Sequence, residues 1–377
     1  MKKCSGSYIR ACFIKSLYWI CLSENGNTNW TLPVQDGLSG DLELQCLRLA
    51  IKELDLSILI SGSPLLKFET HDLIHKLEQL IEKKEGLRSL NKNSVKNIFS
   101  ELINKKIGNF DILKNKKNLK FPLQKEKIAL SLEQFCFRVK MVEPVFIETF
   151  LKPIWNPKIF KIDNLLNKIG LDRTLTIEIG KQYTDEKNWT QKLMSFNEFL
   201  MKYMLPNENL KMEFKENSIF GNLQDSRTGY LAQYDLFEQI PALKEDFNIP
   251  DYCYCNDVSD QEEDDVLLNA WIGPEGTVSP LHTDPYHNIF TQVIGFKYIR
   301  LYHPNQSHLL YPFDSNSMLK NTSQVDILHP DLLSFPLFNK AKYVELTIGP
   351  GDMLYIPKGY WHFVKSLTPS FSISFWF

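Results

Sequence analysis

Beyond about residue 143 the chain breaks into short runs of branched and aromatic residues closed off by Pro, Gly and Asn. The runs fall at 174–179, 266–272, 289–294, 297–302, 344–348, 353–356 and 371–377. Short strands at this spacing, separated by turn residues, predict an all-β sandwich or barrel. Ile294-Gly295-Phe296-Lys297 reads as a tight hairpin, with glycine supplying the positive φ. Helical patches are expected at 189–204 and 231–240, on the outside of the β structure. The first ~140 residues have a different texture. Apolar residues recur at helical spacing over 42–60, 71–87, 94–107 and 128–142, which predicts antiparallel helices packed on one another. A chain of 377 residues exceeds one comfortable core. The expected architecture is therefore α+β, with an all-α domain over 1–140 and a β-rich domain over 141–377.

Within the β-rich part, Ser279-Pro280-Leu281-His282-Thr283-Asp284 is answered by Trp361-His362. Residues two apart in a strand share a face, so His282 and Asp284 can hold one ion together. His362 from a distant strand completes a two-histidine, one-carboxylate face, the donor set of open iron(II) sites. Pro285 biases Asp284 toward an extended backbone and ends or splays the strand, which puts the ligands at a barrel mouth. Gly349 to Pro357 supplies a Gly-Asp turn, a short apolar strand and a proline ahead of His362, as in the second metal-bearing hairpin of cupin-type double-stranded β-helices.

Alternation along Lys297 to Tyr302 puts Lys297 on the same face as Ile299 and Leu301. If that face is interior, the ammonium needs an anion, which a diacid co-substrate would supply. The last run also alternates. Phe371, Ile373, Phe375 and Phe377 lie on one face, and Ser370, Ser372, Ser374 and Trp376 on the other. Small hydroxylated residues suit a strand that lines a ligand cavity.

This region resembles the JmjC family of iron(II)- and 2-oxoglutarate-dependent oxygenases, a jelly-roll, cupin-like fold. The similar segments are Gly229 to Gln233, Ile249 to Cys253, Asn269 to Pro274, Gly276 to Asp284, Lys297 to Tyr302, Asn321 to Asp326 and Ser370 onward. The resemblance implies that His282, Asp284 and His362 bind iron, with O2 as the oxidant. It implies that Tyr230, Ser279, Asn288 and Lys297 hold 2-oxoglutarate, with Trp376 lining the same pocket. Glu178, Gln233 and Trp271 match positions that hold the substrate side chain in arginine-hydroxylating members. Locally, Glu178 also reads as the polar face of a strand and Trp271 as a core aromatic. The implied activity is arginyl C-hydroxylation of a protein or peptide, with release of succinate and carbon dioxide. Demethylation of Nε-methyl-lysine by the same oxidant is the alternative, and a non-catalytic interaction protein the second.

A formal net charge of −2 argues against a nucleic-acid-binding face. The Lys-rich stretch 105–127 and the acidic stretch 261–265 read as solvated loops. No apolar run is long enough for a membrane span, and Arg10 and Lys15 interrupt a signal-like N-terminus. Seven scattered cysteines do not form a disulfide framework, and Cys253 and Cys255 read as two free loop thiols. The expected compartment is the nucleus, the cytoplasm or both; a scaffold for a protein partner is the alternative reading of the N-terminal helices, without a fixed-period repeat to support it.

Overall fold

The computed structural model describes residues 15–17, 40–61, 67–86, 91–114, 119–126, 128–180, 184, 189–204, 228–255 and 266–377. The stretch 261–265 and Lys116 and Lys117 lie outside them. Three long helices come first: α1 (Gly40–Ser61), α2 (Lys67–Gly86) and α3 (Asn91–Lys114). Leu47, Ala50, Ile51 and Leu54 recur at three- and four-residue spacing on α1 and bury against Ile74, Leu77 and Ile81 of α2. These two helices form their own small core. α3 does not join it: Phe99 and Ile103 pack into the large core of the β domain. α4 (Leu132–Lys140) starts at a capping box, in which Ser131 accepts from the Gln134 amide and the Gln134 side chain accepts from the Ser131 amide. Phe135 of α4 stacks on Tyr252 at 4.1 Å. A fifth helix, α5, covers Ile162–Ile169.

The strands are β1 (Lys125–Glu126), β2 (Val145–Ile147), β3 (Thr174–Ile179), β4 (Thr190–Ser195), β5 (Gly229–Tyr234), β6 (Leu267–Gly273), β7 (Val278–His282), β8 (Asn288–Ile294), β9 (Lys297–Tyr302), β10 (Val344–Ile348), β11 (Met353–Ile356), β12 (Trp361–Ser366) and β13 (Ser370–Trp376). They form a nine-stranded sheet in the order β1-β2-β11-β8-β13-β6-β5-β3-β4 and a four-stranded sheet in the order β10-β9-β12-β7. With the preceding helices this is the α+β, double-stranded β-helix expected. β13 lies between β8 and β6, so every residue from Ser370 to Trp376 is buried. The sheet begins before residue 141: β1 pairs with β2 in parallel, and Pro122 bridges Glu345. The Lys-rich stretch is accordingly not one loop, because its start continues α3 and its end is a sheet edge.

Several local expectations are corrected. β8 and β9 do not pair as a hairpin; the chain turns a corner at Gly295 and passes from one sheet to the other. Gly295 has φ 77°, and a Cβ there would sit 2.0 Å from the Pro369 carbonyl oxygen. The close approach of two backbones sets this corner, not strand pairing. The stretch 189–204 opens with β4 before its helical turns at Phe196–Phe199 and Leu200–Met204. The stretch 231–240 is split between β5 and a short helix, Leu236–Gln239, that starts at the Asp235 cap. In both, tertiary pairing overrides a helical apolar pattern. Cys255 is not a free thiol: it is disulfide-bonded to Cys136 of α4, 119 positions away. Cys253 is free and buried. No helix among the described residues is long and apolar enough to cross a membrane.

Candidate metal centre and pocket

β7 and β12 are hydrogen-bonded neighbours, and His282 lies directly opposite His362 in their register. The imidazole rings are 4.1 Å apart between centroids. β7 ends at His282, and Asp284 lies just past it, as the proline at 285 anticipates. Its main chain is held by the Gly359 amide, which donates to the Asp284 carbonyl at 2.9 Å. The Asp284 carboxylate comes within 3.7 Å of His282 Nε2 and 3.4 Å of His362 Nε2. One donor atom from each of the three residues lies within 4.8 Å of the others.

The carbonyls behind the rings fix which nitrogen faces the centre. His282 Nδ1 meets the Pro280 carbonyl at 2.6 Å, and His362 Nδ1 meets the Tyr360 carbonyl at 3.0 Å. A carbonyl only accepts, so each Nδ1 carries a proton and each Nε2 faces the centre beside Asp284, whose carboxylate holds the His362 imidazole above its ordinary value against the opposing effect of burial. Burial, and then the neighbouring His362, pull His282 down to about 4, which keeps it neutral at neutral pH. Two imidazoles that can each offer Nε2 and one carboxylate, with an open side, fit iron(II).

Behind the triad lies a small chamber lined by Tyr230, Ser279, Asn288, Phe290, Lys297 and Ser374. Lys297 is 1% exposed on β9, level with Ile299 and Leu301, as the alternation predicts. It donates to the Tyr230 hydroxyl at 3.2 Å, and no carboxylate among the described residues pairs with it. Burial pulls its ammonium down to about 7. Asn288 Oδ1 is also buried without a partner. A buried cation beside an unsatisfied amide is costly unless a ligand completes it, and a dicarboxylate with further oxygen atoms matches that need. Ser374 accepts from Trp271 Nε1 at 2.9 Å, whereas Ser372 donates to Gln292 deeper in the sheet. Trp376 sits across from Asn288 in register, stacks on Tyr286 at 5.3 Å, and leaves its buried Nε1 unpaired.

A wider cleft of about 260 Å³ opens from the triad toward solvent. Glu178 on β3, Gln233 on β5 and Trp271 on β6 all line it, together with Trp189, Met318 and Asn321. Trp189 donates to Glu178 Oε2 at 3.2 Å. Burial raises the Glu178 carboxyl, only partly offset by hydrogen bonds from Trp189 and Gln191. No lysine or arginine among the described residues pairs with it. Gln233 is exposed and holds a φ of 45°, at a bulge where the β5–β6 register shifts between Leu231 and Tyr234. Trp189 was not anticipated from sequence. It sits one residue ahead of β4, inside a stretch that reads as a helix.

A cupin-like domain model matches residues 139–377. The chain belongs to the cupin-like family. Within it, the relatives are JmjC proteins. Lysine-specific demethylase 8 of Danio rerio is 48% identical over 62% of this chain and 53% of that protein. The Xenopus tropicalis protein of the same name is 49% identical over 56% of the chain and 43% of that protein. Jumonji C domain-containing protein 5 of Drosophila melanogaster is 43% identical over 56% and 49%. The matched segment thus spans about half the length of these relatives. JmjC proteins use iron(II), 2-oxoglutarate and O2, and the donor set and the cationic chamber of this JmjC domain fit those groups.

Proposed function

We propose that the chain is an iron(II)- and 2-oxoglutarate-dependent protein hydroxylase that acts on an arginine side chain of a protein or peptide. Bound iron(II) with 2-oxoglutarate supplies the oxidation of a C–H bond by O2, with release of succinate and carbon dioxide. His282, Asp284 and His362 would hold the metal. Lys297 and Tyr230 would take the distal carboxylate of 2-oxoglutarate, with Ser279 and Asn288 completing its polar contacts. Neither carbonyl behind the histidines moves a proton; they hold the rings in one tautomer.

The observation that carries the substrate reading is Glu178, a partly buried carboxylate with no cationic partner among the described residues, which faces the cleft beside Trp189 and Trp271. A guanidinium answers all three: it pairs with the carboxylate, and its flat faces suit the indoles. Gln233 adds a side-chain amide at the rim. The test is mass spectrometry of arginine-containing peptides incubated with the chain, iron(II) and 2-oxoglutarate. The expected result is a single added oxygen on arginine, coupled to succinate. Succinate release with no such product on any peptide would sink the assignment.

The names of the relatives favour a second reading, demethylation of methylated lysine. Its product is formaldehyde, so formaldehyde release from methylated histone peptides would decide for it. The nucleus and the cytoplasm, where such substrates lie, are the compartments we assign.

A further inference from the structure

The N-terminal helices contain one residue that reaches into the framework of the cleft. Asp55 of α1 is fully buried. Its carboxylate accepts from Arg173 Nη2 at 2.7 Å and Nε at 3.0 Å, from the Thr174 amide at 2.7 Å and from Gln239 Nε2 at 2.8 Å. Thr174 opens β3, the strand that carries Glu178, and Arg173 directly precedes it. Gln239 also donates to the Thr174 carbonyl at 2.8 Å and accepts from the Tyr234 hydroxyl. Tyr234 closes β5 and follows Gln233. One carboxylate from α1 thus ties together the far ends of the two strands that bear the candidate arginine contacts.

That tie stands where the sheet itself is weak. β3 and β5 share only two register pairs, Glu178 with Tyr230 and Ile179 with Gly229. Beyond them β5 bulges, Gln233 takes its positive φ, and the strands are no longer laddered toward Thr174 and Tyr234. A left-handed backbone at a residue other than glycine persists only where its surroundings hold it. The neighbouring Tyr234 is held through its hydroxyl by Gln239, and Gln239 in turn by Asp55. Residue 233 is not glycine, so its left-handed backbone depends on the anchoring of its neighbours.

Resting on the arginine reading above, we propose that Asp55 is a positioning residue for the substrate pocket, so that the N-terminal helical unit completes the site instead of only adjoining it. Asp55 touches neither substrate nor metal; it acts through Tyr234 and Gln239 on β5 and through Thr174 on β3.

The test uses the full chain loaded with manganese(II) and 2-oxoglutarate, and Nα-acetyl-arginine amide as the probe. Binding is read from tryptophan fluorescence, since Trp189 and Trp271 flank Glu178, and hydrogen–deuterium exchange is read over 229–234. Asp55→Asn removes the charge that answers Arg173 and risks the fold. Tyr234→Phe removes only the hydroxyl link and decides the matter if Asp55→Asn does not fold. The expected Tyr234→Phe result is about fivefold weaker probe binding, the ratio one lost hydrogen bond corresponds to. Faster exchange over 229–234 and an unchanged 2-oxoglutarate affinity are expected with it. Unchanged probe affinity and exchange in Tyr234→Phe would overturn the positioning role, while loss of probe binding in Glu178→Gln keeps the arginine reading standing. Wild-type probe binding by Glu178→Gln would overturn both.

Discussion

Lys297 gives the sharpest quantitative test of the chamber behind the triad. Its ammonium is 1% exposed, has the Tyr230 hydroxyl as its hydrogen-bond partner, and is drawn by burial from an ordinary 10.5 to about 7. The folded-state value is depressed for a base, so between pH 7 and 10.5 the unfolded chain binds more protons than the folded one. Stability therefore rises with pH across that window and is lowest below pH 7, where the buried amine is charged. At ~1.4 kcal/mol per tenfold, the full penalty below pH 7 is about 5 kcal/mol. Lys297→Met keeps the length of the side chain and removes the charge. In the absence of 2-oxoglutarate it should be more stable than wild type at pH 6, by up to that amount, or roughly 10–15 °C in Tm at ~2–3 °C per kcal/mol. The advantage should vanish as pH approaches 10. Adding 2-oxoglutarate with manganese(II) should then raise the Tm of wild type and leave that of Lys297→Met unmoved. Differential scanning fluorimetry across pH, with and without 2-oxoglutarate, reads both effects. A Lys297→Met chain that is less stable at pH 6, or one that is still stabilised by 2-oxoglutarate, would refute the reasoning.

Other outcomes follow from the same structure. Asp284→Ala removes the carboxylate beside the two imidazoles, and isothermal titration of manganese(II) should show binding lost or weakened by at least ~100-fold. Glu78 on α2 has a buried Oε1 without a partner, and burial, against the nearby Arg173, raises its carboxyl to about 7. For an acid with a raised folded value, stability is full below the ordinary 4.5 and is lost as pH rises through 7. Glu78→Gln should flatten that loss and gain up to ~3 kcal/mol at pH 8 in urea melts, whereas a pH-independent difference would contradict it. Gly295→Ala places a methyl on the Pro369 carbonyl at a positive φ and should cost roughly 2–4 kcal/mol; a neutral change would mean the corner is more open than described.

How much of this was legible in the sequence depends on the range of the cause. The strands at Thr174–Ile179, Lys297–Tyr302, Val344–Ile348 and Met353–Ile356 match their expected bounds, because alternation and terminal turn residues are local signals. The inward face of Lys297 followed from the same alternation. What failed was set at a distance. Gly295 looked like a hairpin glycine, and only the approach of Pro369 makes it a corner between sheets. Trp189 reaches Glu178 because β4 lies beside β3, and its helix-like surroundings concealed that pairing. The carbonyls of Pro280 and Tyr360 that orient the histidines have no side-chain signature at all. Asp55 stood in an apolar helical pattern as one more polar position, and its 118-residue reach to Arg173 belongs to the tertiary structure.

The pairing of His282 with His362 has a consequence for the order in which the molecule is made. The two ligands face each other across neighbouring strands, yet 80 positions separate them, and β8 to β11 must all be threaded between. Such a contact closes late, because the loop entropy of everything enclosed must be met first. A nascent or half-folded chain without β12 in place has no paired imidazoles to offer. The capacity to grip an ion between the two imidazoles thus arrives together with the walls that surround it.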